Sequence, residues 1–146
     1  MAVREVEANL DSLTFEVVVA ASAQDTFSYF VTPTLLATWW APAAQVDGRP
    51  GGEYVLSWPS QGWHLRGEYT DYAPGERLAF SWRWDHEPQL PTRLVSIQFE
   101  EAPAGTLLRL IHGVYGQDAV DQADRDSHRE GWLHFLSRLE DALLRT

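Results

Sequence analysis

The chain has 146 residues, a formal net charge of −10, no Cys and seven Trp. This length is typical of one domain with a sizeable hydrophobic core, and the acidic balance argues against binding to nucleic acid or to an anionic membrane surface. The lack of Cys excludes disulfides, thiol nucleophiles and thiolate metal sites. We expect neither a signal peptide nor a membrane span, and therefore a cytoplasmic protein.

The first third of the chain predicts one strand followed by two short helices. Residues 1–11 are polar and are expected to be a loose extension, with a single domain over residues 12–146. Residues 13–20 are rich in β-branched side chains, which favours a strand. Ser22 is a typical N-cap for the first helix, and Pro33 suits the first turn of the second.

The middle of the chain changes to the alternating pattern of half-buried antiparallel strands. Turn sequences such as Asp47-Gly48 and Pro74-Gly75 separate the segments. The predicted strands are residues 53–58, 63–72, 78–84, 93–99 and 106–114.

One long amphipathic helix is predicted at the end of the chain, over residues 121–144. Its apolar positions recur at spacings of three and four: Trp132, Phe135, Leu136, Leu139 and Leu143. A stripe led by large rings must be buried, and nearly everything before it is predicted to be strand. We therefore expect an α+β fold in which a curved antiparallel sheet wraps around the C-terminal helix, with two short helices after the first strand.

Five segments in this order carry a resemblance to a known family. They are LLATWWAP (35–42), GGEY (51–54), GEYTDYAPGERLAFSWRW (67–84), GTLLRLIHG (105–113) and HREGWLHFLSRL (128–139). The sequence resembles the activator-of-heat-shock-ninety-ATPase-like branch of the START-like (SRPBCC) superfamily. That resemblance implies a helix-grip fold with a cavity between sheet and C-terminal helix, which other members of the superfamily use for lipids, sterols, polyketides and other apolar molecules.

We expect the walls of such a cavity to come from the inward faces of the strands and helices. The candidate ligand-binding residues are Trp39, Trp40, Tyr54, Leu56, Phe80, Trp82, Trp84, Ile97, Leu110, His112, His128, Trp132, Phe135 and Leu136. Trp39 and Trp40 are adjacent and cannot both face one core, so we expect one to pack inside and the other to line the cavity mouth. For all of these rings, ordinary core packing is the alternative.

His112 shares a strand face with Leu108 and Leu110, so its side chain is expected to point inward. It is interpreted either as a buried neutral histidine or as a polar contact, general acid or general base for a ligand. His128 and His134 are six residues apart on a helix and cannot share a metal ion, and we expect neither a metal nor a cofactor. Arg66 is expected on a solvated face, unless a bulge turns it inward as a partner for a ligand carboxylate.

Three functions are consistent with these patterns, in order of preference. The first is binding of a small apolar or aromatic molecule between the sheet and the last helix. The second is an enzyme of the cyclase, dehydratase or hydrolase type with His112 as acid or base. The third is an interaction module that stimulates a heat-shock-ninety ATPase as a co-chaperone. Association into a homodimer is left open.

Overall fold

The computed structural model describes residues 3–6 and 9–144. Its eight strands are β1 (Arg4–Val6), β2 (Ser12–Val19), β3 (Ala43–Val46), β4 (Glu53–Trp58), β5 (Trp63–Ala73), β6 (Arg77–Trp84), β7 (Arg93–Ala102) and β8 (Gly105–Gly113). Its helices are α1 (Ala23–Val31), α2 (Pro33–Leu36) and α3 (Ala119–Leu144). The predicted α+β helix-grip fold, a curved antiparallel sheet around a long C-terminal helix, is confirmed.

All eight strands belong to one antiparallel sheet in the order β1-β2-β8-β7-β6-β5-β4-β3. The chain runs through β3 to β8 as consecutive neighbours, and β2 then pairs with β8. In that pairing Phe15 lies opposite Leu110 and Leu13 lies opposite His112, so both strands bury the same face. A bulge between Tyr69 and Asp71 shifts the register of β5 against β6.

The start of the chain differs from its prediction in part. Arg4–Val6, expected to be loose, pair with β2 as an edge strand, and Arg4 forms an ion pair of 2.8 Å with Glu16. Residues 1, 2, 7, 8, 145 and 146 lie outside the described residues. Ser22 caps α1 as predicted, because its hydroxyl accepts a hydrogen bond of 3.0 Å from the backbone N–H of Asp25.

A short strand was not expected at Ala43–Val46. It pairs with β4, and Asp47-Gly48 lies in the connection between these two strands. Four residues are too few for the alternation of apolar and polar side chains to be recognised, which is why this edge strand has no clear signal.

Four of the five residues in the apolar stripe of α3 are buried as predicted, since Trp132, Leu136, Leu139 and Leu143 are each at most 2% exposed. The fifth, Phe135, is only partly buried. The backbone of α3 runs closest to β2. Near the start of α3, Arg125 ties the helix to the β1–β2 segment by donating to the carbonyl oxygens of Asn9, at 2.6 Å, and Ser12, at 3.3 Å. Because α3 lies toward the β2 side of the sheet, space remains beside the far strands.

Candidate functional site

A cleft of about 470 Å³ opens between α3 and the neighbouring ends of β4, β5 and β6. Six of the seven tryptophans line it: Trp40, Trp58, Trp63, Trp82, Trp84 and Trp132. We call it the tryptophan cleft. The hairpin from Trp58 to Trp63 forms one rim, and α3 contributes the opposite wall.

The tryptophans form a packed floor and a more open rim. Trp40 and Trp82 stack with ring centroids 6.0 Å apart and planes at 23°, and Trp132 contacts both rings at 5.1 and 5.7 Å. At the rim, Trp58 donates from its indole nitrogen to the carbonyl oxygen of Trp40, 3.1 Å away. Trp63 is 43% exposed. The rings of the floor are therefore packed against one another, and exposed ring surface remains at the rim.

A buried polar network supports the α3 side of the floor. Arg93 donates to Asp124 at 2.8 Å and to Asp121 at 3.2 Å. His128 lies 3.3 Å from Asp124 through Nε2 and 2.7 Å from the Tyr115 hydroxyl through Nδ1. Because a carboxylate only accepts, we assign the imidazole proton to Nε2, and Tyr115 then donates to Nδ1.

His128 of this network and the neighbouring His112 are both held in the neutral form. Burial lowers the pKa of His128 to about 4, with Asp124 acting in the opposite direction and Arg93 adding to the decrease. Burial also lowers the pKa of His112 well below its usual value, and the neighbouring His128 and Arg93 act in the same direction. The two imidazoles stack with centroids 4.6 Å apart and planes at 12°. Neither is poised to be an acid near neutral pH.

His112 lies directly against the floor of the cleft but is itself fully buried. Its Nδ1 accepts a hydrogen bond of 2.9 Å from the indole nitrogen of Trp132, and its ring centroid is 4.5 Å from that of Trp82. Two buried nitrogens in this cluster, Nε2 of His112 and Nε1 of Trp82, have no hydrogen-bond partner among the described residues.

The structure divides the candidate ligand-binding residues between cleft wall and core. Those on the wall are Trp40, Trp82, Trp84, His128, Trp132 and Phe135. Those packed in the core are Trp39, Tyr54, Leu56, Phe80, Ile97, Leu110, His112 and Leu136. In the adjacent pair, Trp39 is fully buried and its indole nitrogen lies 2.9 Å from the carbonyl oxygen of Tyr29, whereas Trp40 lies in the packed floor of the cleft and not at its mouth.

Several wall and network residues were not recognised from the sequence. Trp58 shares a strand face with Tyr54 and Leu56, and that alternation was the available signal. The same alternation places Arg93 on the inward face of β7 with Val95. No local pattern indicates that Arg93 pairs with Asp124, which is 31 residues away in the sequence.

The outer face of β3–β5 carries charged residues, as expected. Arg66 forms two hydrogen bonds of 2.6 Å with Asp85 and does not turn inward. A concavity of about 610 Å³ on this face is lined by polar and charged side chains that include Asp47, Glu53 and Glu68. Tyr54 also lines this concavity, but no tryptophan of the described residues does, in contrast to the tryptophan cleft.

Within residues 3–6 and 9–144, no group of three or more His, Asp or Glu side chains is arranged to hold a metal ion. In the same part of the chain, no helix combines the length and hydrophobicity that crossing a membrane requires.

Comparison with known proteins decides the family. Residues 20–144 match the model of the family described as Activator of Hsp90 ATPase homolog 1-like protein. The chain belongs to this family. The resemblance inferred from the five sequence segments is thereby confirmed. No curated protein has a significant match to the sequence.

Solved structures share the fold of this family member. Protein MLL2253 from Mesorhizobium loti superposes with a TM-score of 0.81 at 22% identity, over 92% of this chain and 98% of that one. A protein from Rhodobacter sphaeroides gives a TM-score of 0.79 at 20% identity, over 98% of each chain. DynU16, from the dynemicin biosynthetic locus, gives 0.78 at 21% identity, over 92% of this chain and 47% of its own. At these identities the likeness concerns the fold.

Proposed function

We propose that this protein binds a small apolar or aromatic molecule in the tryptophan cleft. The observation that carries the proposal is the gathering of six tryptophans around one opening beside α3. Ligand pockets are typically concave, mostly apolar and about 300–1,000 Å³ in volume, and the volume of about 470 Å³ lies within that range. A fused-ring ligand that buries roughly 200 Å² gains about 5 kcal/mol from the hydrophobic effect alone.

Catalysis with His112 as general acid or base is less well supported. His112 is fully buried, is absent from the cleft wall, and has a pKa far below neutral because of that burial. A general base must come within hydrogen-bond reach of the proton that it removes. We therefore place ligand binding ahead of an acid–base enzyme.

A chaperone partner is the second candidate function, because the family description names an activator of the Hsp90 ATPase. The net charge of −10 is compatible with a basic surface on such a partner. Adding the protein to an Hsp90 ATPase assay tests this directly. Stimulation that saturates with concentration supports a co-chaperone role, and an unchanged rate argues against it.

Gly131 allows a sharp test of ligand binding. This residue lines the cleft from α3, and a Cβ added to it meets no atom within 4 Å. Gly131→Leu therefore places an apolar side chain in the cleft with little disturbance to the fold, and it also replaces a helix-destabilising residue. Ser137→Leu adds the same side chain at an exposed position of α3 outside the cleft.

The assay is a thermal-shift screen with fused-ring aromatic compounds, sterols, polyketides and lipids. A ligand at one hundred times its dissociation constant adds about 2.7 kcal/mol, which raises the Tm by roughly 5–10 °C for a domain of this size. We expect the shift in the unmodified protein and in Ser137→Leu, and its loss in Gly131→Leu. The proposal is contradicted if no compound raises the Tm of any of the proteins, or if a compound raises the Tm of Gly131→Leu as much as that of the unmodified protein.

A further inference from the structure

A serine and a histidine form a hydrogen-bonded pair on the outer face of the sheet. The register places Ser57 of β4 directly opposite His64 of β5, and the Ser57 hydroxyl lies 2.8 Å from Nδ1 of His64. Both side chains are half-buried. The alternation of the two strands turns their neighbours Leu56 and Leu65 toward the core, so the pair lies on the opposite face of the sheet from the tryptophan cleft.

The pair has the arrangement of a nucleophile and its general base. When the neutral imidazole carries its proton on Nε2, Nδ1 is an acceptor, and the Ser57 hydroxyl donates to it. The separation of 2.8 Å is within the reach that proton transfer between two such groups requires. His64 is therefore placed to take the proton of Ser57 as the serine oxygen attacks an electrophile.

A groove of about 460 Å³ gives a small molecule access to this pair. Ser57 and His64 line the groove, and β3 contributes the small side chains of Ala43 and Ala44. Ala43 lies opposite Ser57 in the register of β3 and β4, so only a methyl group stands beside the serine on that side. A carbonyl compound in the groove can therefore approach the Ser57 hydroxyl from the side of β3.

Arg66 and Asp85 supply charges beside the pair. The backbone N–H of Asp85 donates to the carbonyl oxygen of His64 at 3.0 Å. Arg66 lines the groove and donates to the Asp85 carboxylate through Nε and Nη2, which leaves its Nη1 without a partner among the described residues. The hydrogen bonds from Arg66 are the main cause that lowers the pKa of Asp85, and the nearby His64 adds to the decrease. Asp85 is thus placed to stabilise a positive charge on His64, and Arg66 a negative charge on a bound oxygen.

We propose that Ser57 and His64 form a nucleophilic dyad that hydrolyses small carboxylic esters bound in this groove. The Ser57 oxygen bonds to the ester carbonyl carbon while its proton moves to Nδ1 of His64, and Arg66 donates to the carbonyl oxygen as it becomes negative. The bond from that carbon to the alcohol oxygen then breaks, and the alcohol leaves with the proton from Nδ1. Water attacks the acyl-serine by the same route, which releases the acid and restores the serine.

The composition of the chain makes covalent labelling a clean test of this dyad. The sequence contains no Lys and no Cys, so the amine and thiol side chains that compete for activated esters are absent. The protein is mixed with para-nitrophenyl acetate, the release of para-nitrophenol is followed by absorbance, and acid-quenched samples are mapped by peptide mass spectrometry. We expect release above the buffer rate and an acetyl group on Ser57.

Two variants and a control separate the dyad from an ordinary hydrogen bond between strands. Ser57→Ala should abolish both the release and the label. His64→Gln keeps a side chain that can hydrogen-bond to Ser57 but cannot act as a base, so the rate of acetylation should fall about a hundredfold or more. Ser137→Ala removes an exposed hydroxyl on α3 and should react like the unmodified protein.

The remaining outcomes overturn the proposal. An unchanged rate in His64→Gln removes the general base, and an unchanged rate in Ser57→Ala removes the nucleophile. If a variant does not fold, the map of the unmodified protein decides, because acetyl groups found only at residues other than Ser57 exclude the site. Release no faster than in buffer excludes the activity. This inference goes beyond the proposed function, and its failure leaves ligand binding in the tryptophan cleft unaffected.

Discussion

The stacked histidines under the cleft predict that mild acid destabilises the protein. His128 is surrounded by Tyr115, Asp124, Arg93 and His112, and burial lowers its pKa to about 4 in the folded state. In the unfolded chain the same imidazole takes up a proton near pH 6.5. Between these two values the unfolded state binds more protons, so the free energy of unfolding falls as the pH falls.

The size of the effect follows from the two pKa values. At pH 5 most unfolded chains carry the proton on His128 and few folded ones do, so this residue alone lowers the free energy of unfolding by about 2 kcal/mol relative to pH 7. His112 acts in the same direction, because burial lowers its pKa as well. The stability is fully present above pH 6.5 and declines down to about pH 4.

Urea unfolding at pH 7 and pH 5 measures this difference. His128→Gln removes the titrating group and retains an amide that can donate and accept, so the loss of stability between the two pH values should shrink by about 2 kcal/mol. His134→Gln changes an exposed imidazole on the same helix and serves as the control. An equal loss in the unmodified protein and in His128→Gln would refute the reasoning.

Three substitutions test other parts of the account by urea unfolding at pH 7. Trp132→Phe removes the donor to His112 and should cost about 1–3 kcal/mol, because a buried acceptor loses its partner. Arg93→Met leaves the buried carboxylate of Asp124 without its cation and should cost about 3–5 kcal/mol. Gly105→Ala should cost more than about 1 kcal/mol, since φ is 143° and the new Cβ would lie 2.0 Å from a carbonyl oxygen of β2.

Matched controls separate these specific effects from the general cost of making a tryptophan smaller or of replacing a glycine. Trp63→Phe, on the exposed rim, should cost less than Trp132→Phe, and equal costs would contradict a specific bond to His112. Full stability in Arg93→Met would show that the ion network contributes little. Gly51 has a φ of 77°, and a Cβ added there meets open space. If Gly51→Ala lowers the free energy of unfolding as much as Gly105→Ala does, the steric argument is contradicted.

Much of the fold could be predicted because its signals are local. The stripe on α3 and the alternation on β6 each lie within one element, and the buried residues follow these periods in the structure. Ser22 is another local signal, since the cap that it forms involves a residue only three positions away. Each of these inferences needs no knowledge of which elements become neighbours.

The site could be predicted less completely because it depends on distant contacts. Alternation places Trp82 and Phe80 on the same face of β6. It does not indicate that Trp82 lines the cleft beside α3, whereas Phe80 lies in the core. The hairpin that brings Trp63 to the rim and the pairing of Arg93 with Asp124 are likewise set by three-dimensional packing. Periodicity therefore identified inward residues without separating wall from core.

A crystal structure of the protein with a compound that raises its Tm tests the central claim most directly. The account predicts density in the tryptophan cleft in contact with Trp40, Trp82 and Trp132. Density on the outer face of β3–β5, with the cleft closed by its own tryptophan rings, would contradict it.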